Sequence, residues 1–252
     1  MASELPQEIA TIYGGLHKIG INCYAVADGQ NHQDVLEGCQ SVIVFASGGG
    51  ALWQSFYNHL SLHRNFLKQH EHPLDQFIKN TLSQVDIPSP SRVWRRCSMT
   101  DKDFVDFRML AGVAALGWKS PTGLLIHPEF GLWIGLRLAC FTKEKIAPST
   151  LNEPAPCKKC KQECMSACPA SAISHNGWNY KVCFDYHKSS TDCHQGCNAR
   201  VACPVGQAHE YPKLAQYYHH NKVMGRKQLA KQLEANESGT VADCDVMPWQ
   251  KD

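Results

Sequence analysis

Eight of the thirteen cysteines in this 252-residue chain fall between Cys157 and Cys203, in two blocks that each close on Cys-Pro. The first reads Cys157-x2-Cys160-x3-Cys164-x3-Cys168-Pro169, the second Cys183-x9-Cys193-x3-Cys197-x5-Cys203-Pro204. Thiolates are ligands for soft metals, and two sets of four are what a pair of [4Fe–4S] clusters requires. In domains of that kind the last cysteine of each block ligates the other block's cluster. The spacing therefore predicts one cluster on Cys157, Cys160, Cys164 and Cys203, and a second on Cys183, Cys193, Cys197 and Cys168. The chemistry that follows is transfer of single electrons.

The spacing departs from the common C-x2-C-x2-C-x3-C-P run. One extra residue separates Cys160 from Cys164, and the second block is looser throughout. Four-thiolate zinc sites also use paired Cys-x2-Cys units, and a disulfide framework suits short secreted chains. Neither alternative accounts for both blocks closing on Cys-Pro.

The remaining composition is that of an ordinary globular protein, with 43% hydrophobic and 19% charged residues. A net charge of +2 gives no broad electrostatic footprint for nucleic acid, although a local basic patch is compatible with it. The first ten residues lack the apolar run of a signal peptide, and no stretch reaches the length of a membrane span. A cysteine-rich chain without an export signal reads as cytoplasmic, where thiols stay reduced.

The elements that must position the cysteines divide the chain in three. Residues 1–148 read as an α/β domain of mixed strand order. Helices are expected over 8–20, 51–70, 74–85 and 103–116, with strands at 41–46, 123–126 and 133–141 and a short segment at 21–27. Pro148, Pro154 and Pro156 mark a linker. The cluster domain covers 149–210, and 211–252 reads as a polar helical tail. A two-cluster ferredoxin alone would be far shorter, so the first domain is where the electrons are used.

That first domain carries two family resemblances. The segment Arg108-Met-Leu-Ala-Gly-Val-Ala-Ala-Leu-Gly-Trp118 followed by Gly123-Leu-Leu-Ile-His127 resembles the cobalamin-dependent epoxyqueuosine reductases, as do Ala170-Ser-Ala-Ile173 after the first Cys-Pro and Cys183 opening the second block. Reductive dehalogenases share that order of parts. The segment Ile126-His-Pro-Glu-Phe-Gly-Leu-Trp-Ile-Gly-Leu-Arg137 is similar to the His-Pro-x-Phe-Gly-Gly-Trp-(x)3-Arg segment of cytosolic cobalamin-processing proteins, with Leu132 where that family has its second glycine. The resemblance implies a nitroreductase-like α/β scaffold with base-off cobalamin in a cleft, followed by a ferredoxin-like domain. It implies corrinoid contacts from Leu116, Gly117, Trp118, His127, Pro128, Gly131, Trp133 and Arg137. Each has a plainer role open to it: helix stop for Gly117, core aromatic for Trp118 and Trp133, turn residue for His127. An arginine within an apolar strand needs an anionic partner or a solvent-facing edge.

Reductive chemistry also needs protons. In the epoxyqueuosine reductases an aspartate upstream of the Leu-Gly-Trp step is the general acid, and that register falls on Asp101, with Asp103 and Asp106 close by. Its context, Thr100-Asp-Lys-Asp103, differs from the family's Asp-Ser-Ala-Pro, and a helix N-cap is the alternative role. His59 and His63, four apart, read as chance placement among thirteen histidines. Gly48-Gly-Gly50 lacks the lysine of a phosphate loop and reads as a strand-to-helix turn. The expectation is a cytosolic oxidoreductase relaying electrons from a flavodoxin- or ferredoxin-type donor through two clusters to cobalamin. The reductive step is cobalamin decyanation or dealkylation, or attack on a small electrophile. Reduction of epoxyqueuosine on tRNA is one alternative, with Lys222, Arg226, Lys227 and Lys231 available for phosphate contact. A non-catalytic electron carrier that docks a partner protein is the other.

Overall fold

The computed structural model describes residues 4–97 and 104–237. In chain order its elements are α1 (Gln7–Lys18), β1 (Cys23–Asp28), β2 (Ser41–Gly48), α2 (Ala51–Leu62), α3 (Phe66–Gln69), α4 (Pro73–Val85), β3 (Arg92–Arg96), α5 (Phe107–Val113), β4 (Trp118–Lys119), β5 (Leu125–Ile126) and β6 (Ile134–Thr142). The cysteine blocks carry α6 (Glu163–Ser166), β7 (Ile173–Ser174), β8 (Gly177–Trp178), α7 (Tyr180–Ser189) and α8 (Asn198–Val201), and α9 (Lys213–His220) and α10 (Lys222–Glu237) follow.

Ser41-Val-Ile-Val-Phe-Ala-Ser-Gly48 is buried at every position, which is what its β-branched run requires. It lies inside a four-stranded sheet of order β1-β2-β6-β3. Each pairing is antiparallel, and the strand order, which the sequence did not fix, differs from the chain order. Helices cover both faces. On one, Ile9, Ile12 and Leu16 of α1 pack with Phe56, Phe77, Phe45 and Leu138; on the other, Phe107 and Leu110 of α5 pack with Val42, Val44 and Phe141.

Two expectations change. β3 was not foreseen, because Arg-Val-Trp-Arg-Arg shows no apolar alternation; it is an edge strand, where charge blocks further pairing. Its Arg92 is buried and bonded to Glu8 at 2.8 Å, Asp86 at 3.1 Å and the Ile87 carbonyl at 2.7 Å, tying β3 to α1 and to the end of α4. The helix expected over 51–70 breaks at His63, and the shorter α3 follows. Across this break lies α10: Arg64 donates to the Leu233 carbonyl, and Arg226 to the carbonyls of Glu71 and His70. Leu229 and Leu233 join the same core as Trp53, so the tail helices pack onto the sheet domain. Among the described residues no helix is long and apolar enough to cross a membrane.

The cluster segment joins the sheet domain through a close backbone approach. Gly131 (φ +55°) and Gly206 (φ +73°) lie against each other's chain: a Cβ on Gly131 would stand 1.8 Å from the Val205 carbonyl oxygen, and one on Gly206 2.3 Å from the Phe130 carbonyl carbon. Gly131→Ala is expected to lower stability by about 2 kcal/mol or more, read from urea or thermal melts, because both backbone sterics and the positive φ oppose a side chain. Gly14→Ala, at an exposed helical position with nothing within 4 Å, should instead add roughly 0.5–1 kcal/mol.

Candidate functional site

All twelve described cysteines are free thiols, which removes the disulfide framework. Eight gather in two groups. Burial raises the Cys157 thiol above its ordinary range, and the neighbouring Cys203, Cys160 and Cys164 raise it further. Cys193 is pushed up to about 11 by burial and by Cys197, Cys168 and Cys183. Cys157, Cys160, Cys164 and Cys203 line one cavity. Cys203 stands with the first block's first three cysteines, and Cys168 lies near Cys193.

Backbone geometry serves these sulfurs. Gln162, at φ +60°, donates its N–H to Cys160 Sγ at 3.2 Å. The amides of Ala199 and Arg200, opening α8, favour the Cys197 thiolate, and that of Val205 favours Cys203. Thiolates crowded together and held by N–H donors are the donor set an iron–sulfur cluster takes up. Among the described residues no three His, Cys, Asp or Glu side chains converge on a position for a single ion.

The first group opens on a shallow cavity, partly open to solvent, walled on its other side by Ser120, Thr122, Ile126 and Leu132. Three of the expected corrinoid contacts lie nearby. Leu116 is buried with Phe107 and Leu110, and Gly117 lies against the Ile126 carbonyl. Trp118 packs with Ile126, Leu132, Cys157 and Cys203. The Leu-Gly-Trp step therefore supports the wall of the first thiol group.

The His127–Gly131 turn comes next. His127 and Gly131 exchange backbone bonds at 2.8 and 3.0 Å, and His127 Nδ1 accepts the N–H groups of Glu129 and Phe130 at 3.1 and 3.2 Å. Pro128 sits exposed within the turn. Burial, assisted by His209, lowers the His127 pKa to about 4.

Beyond the turn, β6 lies between β2 and β3, so Arg137 is not on an edge. The register with β2 slips here, since Phe45 faces Leu138 and Ala46 faces Leu136. Arg137 is the extra residue of a β-bulge, a device that re-aims a side chain. Its Nε donates to Ser47 Oγ at 2.8 Å. Trp133 is buried beneath Arg200, which stacks on Trp133 and Tyr211 at 4.5 and 4.6 Å and donates to the Leu132 carbonyl at 3.1 and 2.7 Å.

Asp101 lies outside the described residues; Asp106, its neighbour in the sequence, caps α5. His59 and His63 stack with ring centroids 4.5 Å apart. Gly48 pairs with the Asn22 side chain and forms the turn into α2. Two features escaped the sequence reading. Arg200 bridges α8 and the sheet domain, and His187 Nε2 meets His220 Nδ1 at 3.1 Å beside the second thiol group. No spacing rule marks contacts between residues so far apart in sequence.

A buried, neutral histidine should make stability depend on pH. Because the folded pKa lies below the unfolded value of about 6.5, the unfolded chain takes up the proton first. The His127 contribution is therefore present above pH 6.5 and lost as pH falls toward 4. His127→Asn, which keeps an acceptor for the two N–H groups, should flatten that part of a melting-temperature profile. His127→Leu should cost about 1–3 kcal/mol at pH 7 by leaving both amides unpaired.

No protein-family profile matches the chain. It is 31% identical over 131 residues to an epoxyqueuosine reductase of Listeria monocytogenes, covering 46% of this chain and 34% of that protein. The match thus spans about a third of the relative's length. The epoxyqueuosine reductase structure from Streptococcus thermophilus superposes with a TM-score of 0.50 at 14% identity, over 89% of this chain and 79% of that one. A B12-trafficking protein of Caenorhabditis elegans gives a TM-score of 0.47 at 10% identity, over 90% and 96%. Over that segment the sequence is similar to an epoxyqueuosine reductase, and over most of its length the fold resembles that of another.

Proposed function

We propose that this chain is an iron–sulfur oxidoreductase of the epoxyqueuosine reductase kind, with a nitroreductase-like unit that binds a corrinoid and a ferredoxin-like unit that holds two [4Fe–4S] clusters. The carrying observation is the crossed grouping, in which Cys203 joins Cys157, Cys160 and Cys164 while Cys168 joins Cys183, Cys193 and Cys197. When bound, the clusters supply single-electron transfer and the corrinoid supplies a reducible cobalt centre. The first group, walled by Ile126 and Leu132, faces the sheet domain, and the second lies beside α7. Electrons from a flavodoxin- or ferredoxin-type donor enter at the second and leave from the first. The Leu116–Trp118 step and the His127–Gly131 turn fix the first group's wall, and Asp101 delivers the proton.

The identity with an epoxyqueuosine reductase favours epoxyqueuosine in tRNA as substrate over cobalamin decyanation, dealkylation or a small electrophile. The basic residues of α10 are a weaker support, since Arg226 is engaged by the Glu71 and His70 carbonyls. Conversion of epoxyqueuosine-containing tRNA by the reduced protein separates these substrates, and reduction of cob(II)alamin separates all of them from an electron carrier. A protein that reduces neither is an electron carrier.

The ligand assignment has its own test. Cys203→Ser and Cys157→Ser should each remove the same cluster and about half the iron, leaving one EPR signature, and Cys168→Ser should remove the other. If Cys203→Ser instead eliminates the signal lost in Cys193→Ser, the crossed assignment is wrong. Asp101→Asn should slow turnover by about 10²-fold or more with iron content unchanged.

A further inference from the structure

A second, shallow cavity, partly open to solvent, lies at the end of β2. It is lined by Ser47, Gly49, Trp53, Arg137, Tyr211 and His219, with Leu52 and Leu74 as an apolar wall and no acidic side chain in its lining. The bulge in β6 turns Arg137 toward it. Room for the guanidinium comes from Gly135, where a Cβ would stand 2.4 Å from Arg137 Nη2. Ser47 holds Nε, so the Nη edge has no hydrogen-bond partner among the described residues.

The rest of the lining is also made of donors. Trp53 and Tyr211 are 4% and 6% exposed, and neither the Trp53 Nε1 nor the Tyr211 hydroxyl has a partner. Buried polar atoms of that kind are normally paired, and a ligand is one means of pairing them. Gly49 and Gly50 lead into the twelve-residue helix α2, whose first turn has no side-chain cap. His219 lines the cavity, with part of its surface open to solvent. Its pKa is lowered to about 3 by burial and by Arg137, Arg200 and Lys222, so the local field is already positive. Asp75, which contributes negative charge at Cys97 and Tyr218, stands outside the lining.

We propose that this cavity binds the oxyanion of a small organic molecule, a carboxylate or a phosphate, with the free edge of Arg137 as its principal contact. A planar guanidinium fixed at Nε offers two parallel N–H donors, the geometry that carboxylates and phosphates accept. Trp53, Leu52 and Leu74 receive the apolar part. The site stands on Arg137 and the cavity, and it holds whether or not the chain binds a corrinoid.

Calorimetric titration of the iron-loaded protein with inorganic phosphate and with acetate tests this. Saturable binding of at least one anion is expected. Arg137→Gln should weaken it about tenfold or more, and Arg137→Lys less, since charge remains but the fork is lost. Tyr211→Phe should weaken binding while its melting temperature holds or rises, because an unpaired buried hydroxyl is removed. Iron content and melting profiles show that the Arg137 variants are folded. Absence of saturable binding by either anion, or wild-type affinity in Arg137→Gln, overturns the proposal. Competition identifies the source: displacement of phosphate by cobalamin but not by cobinamide, which lacks the phosphate-bearing nucleotide, assigns the cavity to the corrinoid's own phosphate. Retention of phosphate against both assigns it to a separate ligand. Failure of cobalamin to bind at all defeats the corrinoid reading and leaves the anion measurement standing.

Discussion

The contact between the backbones of Gly131 and Gly206 governs the rest of the site. It seats the turn after β5 directly on the segment following Cys203, with no side chain between them. Ile126 and Leu132, on either side of that turn, thereby become one wall of the first thiol group. The same approach places the Leu132 carbonyl within reach of Arg200, which extends the joint to the second block through α8. Two segments some seventy residues apart are held at backbone contact, and van der Waals repulsion is steep at that range. Only glycine satisfies it.

A second constraint acts within the sheet. β6 must stay paired with β2 along its length and with β3 over its second half, yet Arg137 cannot lie in the apolar layer between sheet and helices without a partner. The bulge resolves this by inserting Arg137 as an unpaired residue, which keeps Leu136 and Leu138 packed in opposite cores. Ser47 at the end of β2 accepts from the guanidinium and completes the arrangement. Sheet regularity is broken at one position, and that position carries the charge.

The two cysteine blocks were the most legible feature of the chain. Ligand spacing is local, and both the number of cysteines and their closing Cys-Pro steps survive any arrangement of the rest. Strands β2 and β6 were legible because apolar runs in a buried sheet leave little choice of role. β3 was not, since an edge strand with three arginines gives no periodic signal. The break between α2 and α3 was hidden for a different reason: it accompanies contacts with α10, from Arg64 to the Leu233 carbonyl and from Arg226 to the Leu67 carbonyl, more than 150 residues apart in sequence.

The sequence by itself determined the soft-metal donor set, its division into two blocks, and the likeness of the Leu-Gly-Trp and His-Pro segments to known redox families. Those properties depend on residue type and short spacing, which the chain carries before it folds. Tertiary structure decided which cysteines stand together, what His127 accepts, and where Arg137 points. Each of these depends on contacts between distant segments, where sub-ångström packing, burial and hydrogen-bond satisfaction select one arrangement. Arg137 reads in the sequence as a charge in an apolar strand; a bulge, a glycine two residues earlier and a serine on the neighbouring strand make it the open side of a cavity.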